Sequence, residues 1–289
     1  MNKIIVFGGN VKGEKFIELK EAADKLGVEL DLVSYKEMGF RTDNGKVFIG
    51  DKRINDYDVY FFRSSKKYWE EISLILDQLD KNKIIIDPMV KKARTSDACK
   101  AHQMLVLSQA GLPVPKSVYA GLGLLENKII NEFEFPVIIK GSRGDRRRDV
   151  FKLYGKKDFK ERLEELKVIE KNGENKYMLQ EYIVNKEDYR VMVLGDKVLG
   201  IMKRAVGDNP RLKNQFSQSD LPEEVKKLAV EVARVCEIAI GGVDVVFRDG
   251  DFKKPLFYEV NKTPNYSRFV EVTGINVPEE IIKYLANLK

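Results

Sequence analysis

Histidine and cysteine are nearly absent from this chain of 289 residues, which carries one histidine, His102, and two cysteines, Cys99 and Cys236. A Ser-His-Asp triad or a multi-histidine metal site would have to run through His102 alone, so those classes drop out. Neither cysteine has a Cys-x-x-Cys partner, which argues against a zinc site or a disulfide framework. Two ordinary thiols fit a reducing compartment, so the cytoplasm is the expected location. No run approaches the roughly 18 apolar residues of a membrane-spanning helix. At the N-terminus the apolar run Ile4–Phe7 is too short for a secretory signal and reads as a first buried strand. Internal repeats and low-complexity segments are also lacking.

What is present is charge, at 33% of residues with a net +6. The signs are mostly interleaved, as in Lys-Lys-Ala-Arg-Thr-Ser-Asp at 91–97. Such a surface suits acidic partners, nucleotides among them, or is simply rich in lysine.

The first ninety residues alternate strands with helices. Ile4–Phe7, Glu29–Ser34, Val59–Phe62 and Ile84–Ile86 read as strands, and Glu14–Leu26 as an amphipathic helix stopped by Gly27. This order predicts a parallel, doubly wound sheet. Gly8-Gly-Asn-Val-Lys-Gly13 does not fit the dinucleotide pattern Gly-x-Gly-x-x-Gly. A boundary falls at Asp87-Pro88, and a helix from about Ser96 to Ala110 follows, with Ser96 a candidate cap. The last third is richer in strands. Tyr189–Leu194 and Val198–Lys203 form a predicted hairpin about Gly195-Asp196-Lys197, and Val243–Phe247 pairs with Leu256–Val260.

Two places can carry chemistry. Glu259 and Asn261 are two apart, so they project from one face of a strand, and Asp244 joins them if the two strands pair. Two carboxylates and an amide oxygen suit a hard cation such as Mg²⁺. The plainer alternative is three surface positions on a half-buried hairpin, and spacing alone leaves both open. Lys140 ends the strand Pro136-Val-Ile-Ile-Lys140 and precedes the loop Gly141-Ser-Arg-Gly-Asp-Arg-Arg-Arg-Asp149. There a lysine and loop N–H groups can hold phosphate. A solvated basic hairpin is the rival.

Taken in order, several segments resemble the ATP-grasp superfamily, and within it the RimK-like carboxylate–amine ligases. They are Ala110-Gly-Leu-Pro-Val-Pro115, Phe135-Pro-Val-Ile-Ile-Lys140-Gly-Ser-Arg-Gly144, Leu179-Gln-Glu-Tyr-Ile183, Asp188-Tyr-Arg190, Met202-Lys-Arg204, Gly242-Val-Asp244 and Glu259-Val-Asn-Lys-Thr-Pro264. The resemblance implies an ATP-grasp fold, α/β and α+β, with an N-terminal pre-ATP-grasp α/β domain. Residues 1–90 would form that domain, 91–175 the central subdomain and 176–289 the C-terminal subdomain.

It further implies an ATP- and Mg²⁺-dependent ligase, with Mn²⁺ as a substitute ion, that joins a carboxylate to an amine through an acyl phosphate. Lys100 and Lys140 would contact the ATP phosphates. Glu181 and Tyr182 would hold adenine, largely through backbone groups, and Asp188 would accept hydrogen bonds from the ribose. Arg190 and Arg204 would stabilise the transferring phosphate, and Asn214 would sit near the triphosphate. Asp244, Glu259 and Asn261 would hold the metal. Amino acids, peptides and acidic protein tails fit as substrates, relatives often form homo-oligomers, and no membrane is implied.

Two departures stand out. The phosphate loop carries charge where the family has glycine, and Gln215-Phe-Ser-Gln-Ser219 lacks the family's glycine pair. A nucleotide-binding regulator that keeps the fold without ligating, and a nucleic-acid binder using Arg146–Arg148, are the alternatives.

Overall fold

The computed structural model describes residues 1–43, 45–92, 99–127, 129–142, 149–173, 176–205, 215–262 and 264–289. Its first unit is the expected parallel sheet. Strands β1 (Ile4–Gly8), β2 (Leu30–Ser34), β5 (Val59–Phe62) and β6 (Ile84–Ile86) lie in the order β2-β1-β5-β6. β1 pairs in parallel on both sides, and all five of its residues are buried. That is why it reads as an unbroken apolar run rather than an alternating one. Helix α1 (Glu14–Lys25) buries Phe16, Leu19, Ala22 and Ala23, and α2 (Trp69–Gln78) buries Ile72 and Ile75. A hairpin of β3 (Met38–Arg41) and β4 (Lys46–Ile49) stands beside this sheet.

The second unit begins with α3 (Lys100–Gln109), which carries the predicted helix; Ser96, its expected cap, lies outside the described residues. An antiparallel sheet follows in the order β7-β10-β8-β9, from β7 (Ser117–Tyr119), β8 (Val137–Gly141), β9 (Val150–Leu153) and β10 (Tyr177–Glu181). Helices α4 (Leu122–Asn127) and α5 (Lys156–Lys171) cover one face, where Leu122, Leu125, Phe159, Leu163 and Leu166 join Val137, Ile139 and Leu179 in one core. Because β10 pairs with both β7 and β8, this sheet runs on to Glu181. We therefore propose the division from the third unit in the link after Glu181 rather than at 175.

The third unit is a five-stranded antiparallel sheet, β13-β12-β11-β14-β15, from β11 (Glu187–Leu194), β12 (Lys197–Ala205), β13 (Phe216–Ser219), β14 (Ile240–Phe247) and β15 (Pro255–Lys262). Leu194 pairs Lys197 across the predicted hairpin, where Gly195 has φ +61°, a left-handed conformation that glycine adopts without cost. Helix α6 (Glu223–Val235) packs Val225, Ala229 and Val232 against the sheet face carrying Val191, Val243, Val245 and Phe257. Glu223 and Glu224 sit at its N-terminus and Arg234 in its last turn, matching the helix dipole.

Helices α7 (Ser267–Thr273) and α8 (Val277–Ala286) turn back to the first unit. Phe269, Ile281, Ile282 and Leu285 share one core with Ile4, Val6, Phe16 and Leu19. The Asn2 side chain donates to the carbonyls of Leu285 and Leu288 at 3.1 and 2.9 Å. Asp87, at the exit of β6, is fully buried, and its Oδ1 accepts from the N–H groups of Ala239 and Ile240 at 2.8 and 3.0 Å. First and third units are thus bonded to each other. Among the described residues no helix is long and apolar enough to cross a membrane.

Candidate active site

A cavity of about 430 Å³ opens between the two antiparallel sheets. Its floor is one face of the five-stranded sheet, on which charges alternate by register. Arg204 on β12 stands opposite Asp188 on β11. Arg190 on β11 stands opposite Asp244 on β14, and Asp244 stands opposite Glu259 on β15. Such facing pairs lie within side-chain reach. The predicted pairing of the last two strands holds, and it gathers Asp244, Glu259 and Asn261 at the same cavity wall.

Asp244 is only 2% exposed and is the centre of the floor. Arg190 grips it with two parallel bonds, Nε to Oδ1 and Nη2 to Oδ2, both 2.7 Å. Arg204 Nη2 lies 3.2 Å from Oδ2, and Asn261 Nδ2 donates to the same oxygen at 3.3 Å. Burial works against the Asp244 charge, but the two guanidiniums overcome it and hold the carboxyl below its ordinary range. Gly242 leaves room for this arrangement, since a Cβ there would stand 3.2 Å from Arg190 Cδ.

Across the cavity, Lys140, the last residue but one of β8, is 6% exposed. Burial lowers its pKa to about 8, with Glu259 opposing the shift and Lys100 adding to it. The Lys140 ammonium donates to a neutral partner, Gln180 Oε1, at 3.0 Å. Gln180 is oriented by donating to Ser117 Oγ at 2.7 Å, and that hydroxyl donates to the Pro115 carbonyl at 2.8 Å. Lys100 opens α3, its N–H bonded to the Ser142 carbonyl, and its Nζ lies 3.8 Å from Glu259 Oε1. Two lysines therefore meet the carboxylates across one space.

Lys100, Lys140, Glu181, Tyr182, Arg190, Arg204, Asp244, Glu259 and Asn261 all line this cavity. Asn214 and Arg143–Arg148 lie outside the described residues. Asp188 does not line it. It is 6% exposed, and its oxygens accept from Arg204 Nε and, at 2.8 Å, from the Tyr258 hydroxyl. The Glu181 carboxylate is also taken, by Arg248 Nη2 at 2.8 and 2.9 Å and by the Lys116 N–H at 2.8 Å. The Tyr182 ring carries the Lys152 ammonium at 3.9 Å.

Gln180, Tyr258 and Arg248 escaped the sequence reading. Gln180 left a signal, a lone amide in the apolar run of β10. Tyr258 left none. The register passes from Asp244↔Glu259 to Val245↔Phe257, so Tyr258 is the extra residue of a β-bulge. Strict alternation would put it on the face opposite Glu259, whereas the bulge brings both into the cavity.

The donor set fits a hard divalent cation. Asp244 and Glu259 are cross-strand neighbours, and the Asn261 amide oxygen joins two carboxylates beside two lysines suited to phosphate. Among the described residues no cluster of three or more His, Cys, Asp and Glu side chains occurs, this wall with its two carboxylates included.

The fold and this site define an ATP-dependent ligase that joins a carboxylate to an amine, and comparison with known proteins agrees. The RimK-like ATP-grasp domain matches residues 95–285, so the chain belongs to the RimK-like ATP-grasp family. A probable alpha-L-glutamate ligase of Marinomonas sp. (strain MWYL1) is 26% identical over 294 residues, covering 98% of this chain and 95% of that protein. Beta-citrylglutamate synthase B of Homo sapiens is 28% identical over 194 residues, 63% of this chain and 48% of that protein. The ATP-grasp ligase PsnB, solved with minimal precursor, Mg and ADP, superposes with a TM-score of 0.76 at 18% identity, over 98% of this chain and 96% of that one. The macrocyclase MdnC of Microcystis aeruginosa MRC, solved with its precursor peptide, gives 0.73 at 15% identity, over 99% and 100%. The cofactors of this family are ATP and Mg²⁺.

Proposed function

We propose that the chain activates its carboxylate substrate as an acyl phosphate and passes the acyl group to the amine of an amino acid or peptide. A carboxylate is a poor electrophile at neutral pH, and phosphorylation gives it a good leaving group. The protein's part is placement and charge neutralisation. Lys140 and Lys100 hold the phosphates from one wall. Asp244, Glu259 and Asn261 hold Mg²⁺, or Mn²⁺ in its place, from the other. The metal, when bound, neutralises charge on the phosphate oxygens. Arg190 and Arg204 steady the phosphoryl group in transfer. Glu181 and Tyr182 border the adenine end, which main-chain groups of the link after β10 would hold.

For Asp188 we propose a positioning role rather than a ribose contact, because both of its oxygens are engaged. The proteins named as glutamate ligases make glutamate the first amine to test, and peptides seen with the solved relatives the second. Cytoplasmic location is proposed on the free thiols, and a homo-oligomer on the family resemblance alone.

The observation that carries this reading is the meeting of two lysines, two arginines and the metal trio around one cavity. It is tested by phosphate release from Mg·ATP in a screen of acids with glutamate or peptides as amine, and by product mass. Release requiring both acid and amine, with a product lighter by one water than their sum, supports it. A purified protein that binds no adenine nucleotide with Mg²⁺ present rules it out.

A further inference from the structure

Arg204 spends three of its five N–H donors inside the protein. Nε donates to Asp188 Oδ1. Nη2 donates to the Tyr258 hydroxyl at 3.0 Å and lies 3.2 Å from Asp244 Oδ2. A guanidinium carries its donors in a rigid fork, so two remain, both on Nη1. Among the described residues no acceptor takes them. Arg204 lines the cavity, and this uncommitted edge is what it can offer an anion.

What fixes that edge is a closed triangle. The Tyr258 hydroxyl donates to Asp188 Oδ2 at 2.8 Å while accepting from Arg204. A phenol keeps its proton at neutral pH, so the Tyr258 hydroxyl stays a donor to Asp188. An arginine side chain has considerable rotamer freedom to lose when it is fixed on a ligand. Asp188 and Tyr258 remove that freedom before any ligand arrives. The bulge supplies the third corner, because an unbulged β15 would turn the Tyr258 ring to the α6 side of the sheet.

We propose that Tyr258 is a positioning residue that, with Asp188, holds the Nη1 edge of Arg204 toward the terminal phosphoryl group. The terminal phosphate is the appropriate anion because Asp244, the partner Arg204 shares with Arg190, belongs to the trio proposed to hold the metal. The inference rests on the ligase reading of this cavity. Its signature is selective. Contacts to the terminal phosphate weaken, while contacts to the rest of the nucleotide do not.

The test is calorimetric titration of Tyr258→Phe with Mg·ADP and with the non-hydrolysable Mg·AMPPNP. Affinity for AMPPNP is expected to fall about tenfold and affinity for ADP to change less than about twofold. Asp188→Asn, which keeps the side-chain volume, is expected to give the same selective loss. In an Arg204→Lys background, Tyr258→Phe is expected to add less than about twofold, because its action passes through the guanidinium. An unchanged AMPPNP-to-ADP ratio in both single variants overturns the role of Tyr258 while leaving the ligase reading intact. So does a full additional loss in the Arg204→Lys background. Wild-type protein that binds neither nucleotide removes the ligase reading, and this inference with it.

Discussion

The side chain of Gln103 meets both backbone polar groups of Val260, with Nε2 donating to the carbonyl at 2.8 Å and Oε1 accepting from the N–H at 3.1 Å. β15 is an edge strand, and among the described residues no further strand pairs with its outer side. Gln103, 7% exposed on α3, stands in for one. Val260 lies between Glu259 and Asn261, and the same helix turn carries Lys100. One amide therefore holds the strand of two proposed metal ligands against the helix of a proposed phosphate ligand.

Gln103→Leu leaves two buried backbone groups unpaired. Stability is expected to fall by about 2–4 kcal/mol, read by urea unfolding. Nucleotide affinity in the presence of Mg²⁺ is expected to fall in the same variant at temperatures where it stays folded.

Lys140 gives a pH dependence whose sign is fixed. Burial sets its pKa near 8 in the free protein. Phosphate beside it favours the charged form, so binding raises that pKa and takes up a proton. The affinity contributed by Lys140 is therefore full near pH 7 and is lost as pH rises through the free-protein value. A drop of about tenfold between pH 7 and pH 9 is expected in Mg·ATP titrations. Proton uptake is measured by repeating the titration in buffers of different ionisation enthalpy, and Lys140→Met abolishes it.

Glu259→Gln keeps the shape of the cavity and removes one proposed anionic ligand. The concentration of Mg²⁺ needed for half-maximal nucleotide binding is expected to rise at least about tenfold. The melting temperature without Mg²⁺ should change little, since among the described residues the ion pair of Glu259 is a loose one, with Lys100 at 3.8 Å.

Arg190→Met strips the buried Asp244 of its two 2.7 Å bonds. A loss of about 3 kcal/mol is expected, because a buried carboxylate is left undercompensated. Millimolar Mg²⁺ should restore part of the melting temperature in this variant and less in Arg190→Met/Asp244→Asn. Equal recovery in both would remove Asp244 from the metal set.

Much of this was legible in the sequence, for identifiable reasons. Asp244, Glu259 and Asn261 could be put together because strand periodicity and a short turn fix which side chains share a face. The parallel sheet could be read because β1, buried on both sides, is apolar without interruption. The rest depended on distant partners or broken periodicity. Gln103 is 157 residues from Val260, and nothing local says that an edge strand will need it. Tyr258 hides behind a one-residue slip in register. Glu181 was expected to act through its backbone, and nothing near it in sequence announces Arg248. The pairing of β10 with β7 and β8 was not legible, because β10 follows a helix and precedes a hairpin, so its sheet is settled only by tertiary packing.

The core that α7 and α8 share with the first sheet bears on how the molecule is made. During synthesis β1 and α1 leave the ribosome long before Phe269, Ile281 and Leu285, the side chains that seal their outer flank. Until those arrive, the nascent N-terminal unit exposes an oily seam to its surroundings. The seam thus closes only once α7 and α8 have emerged and folded back, and not on completion of the first sheet.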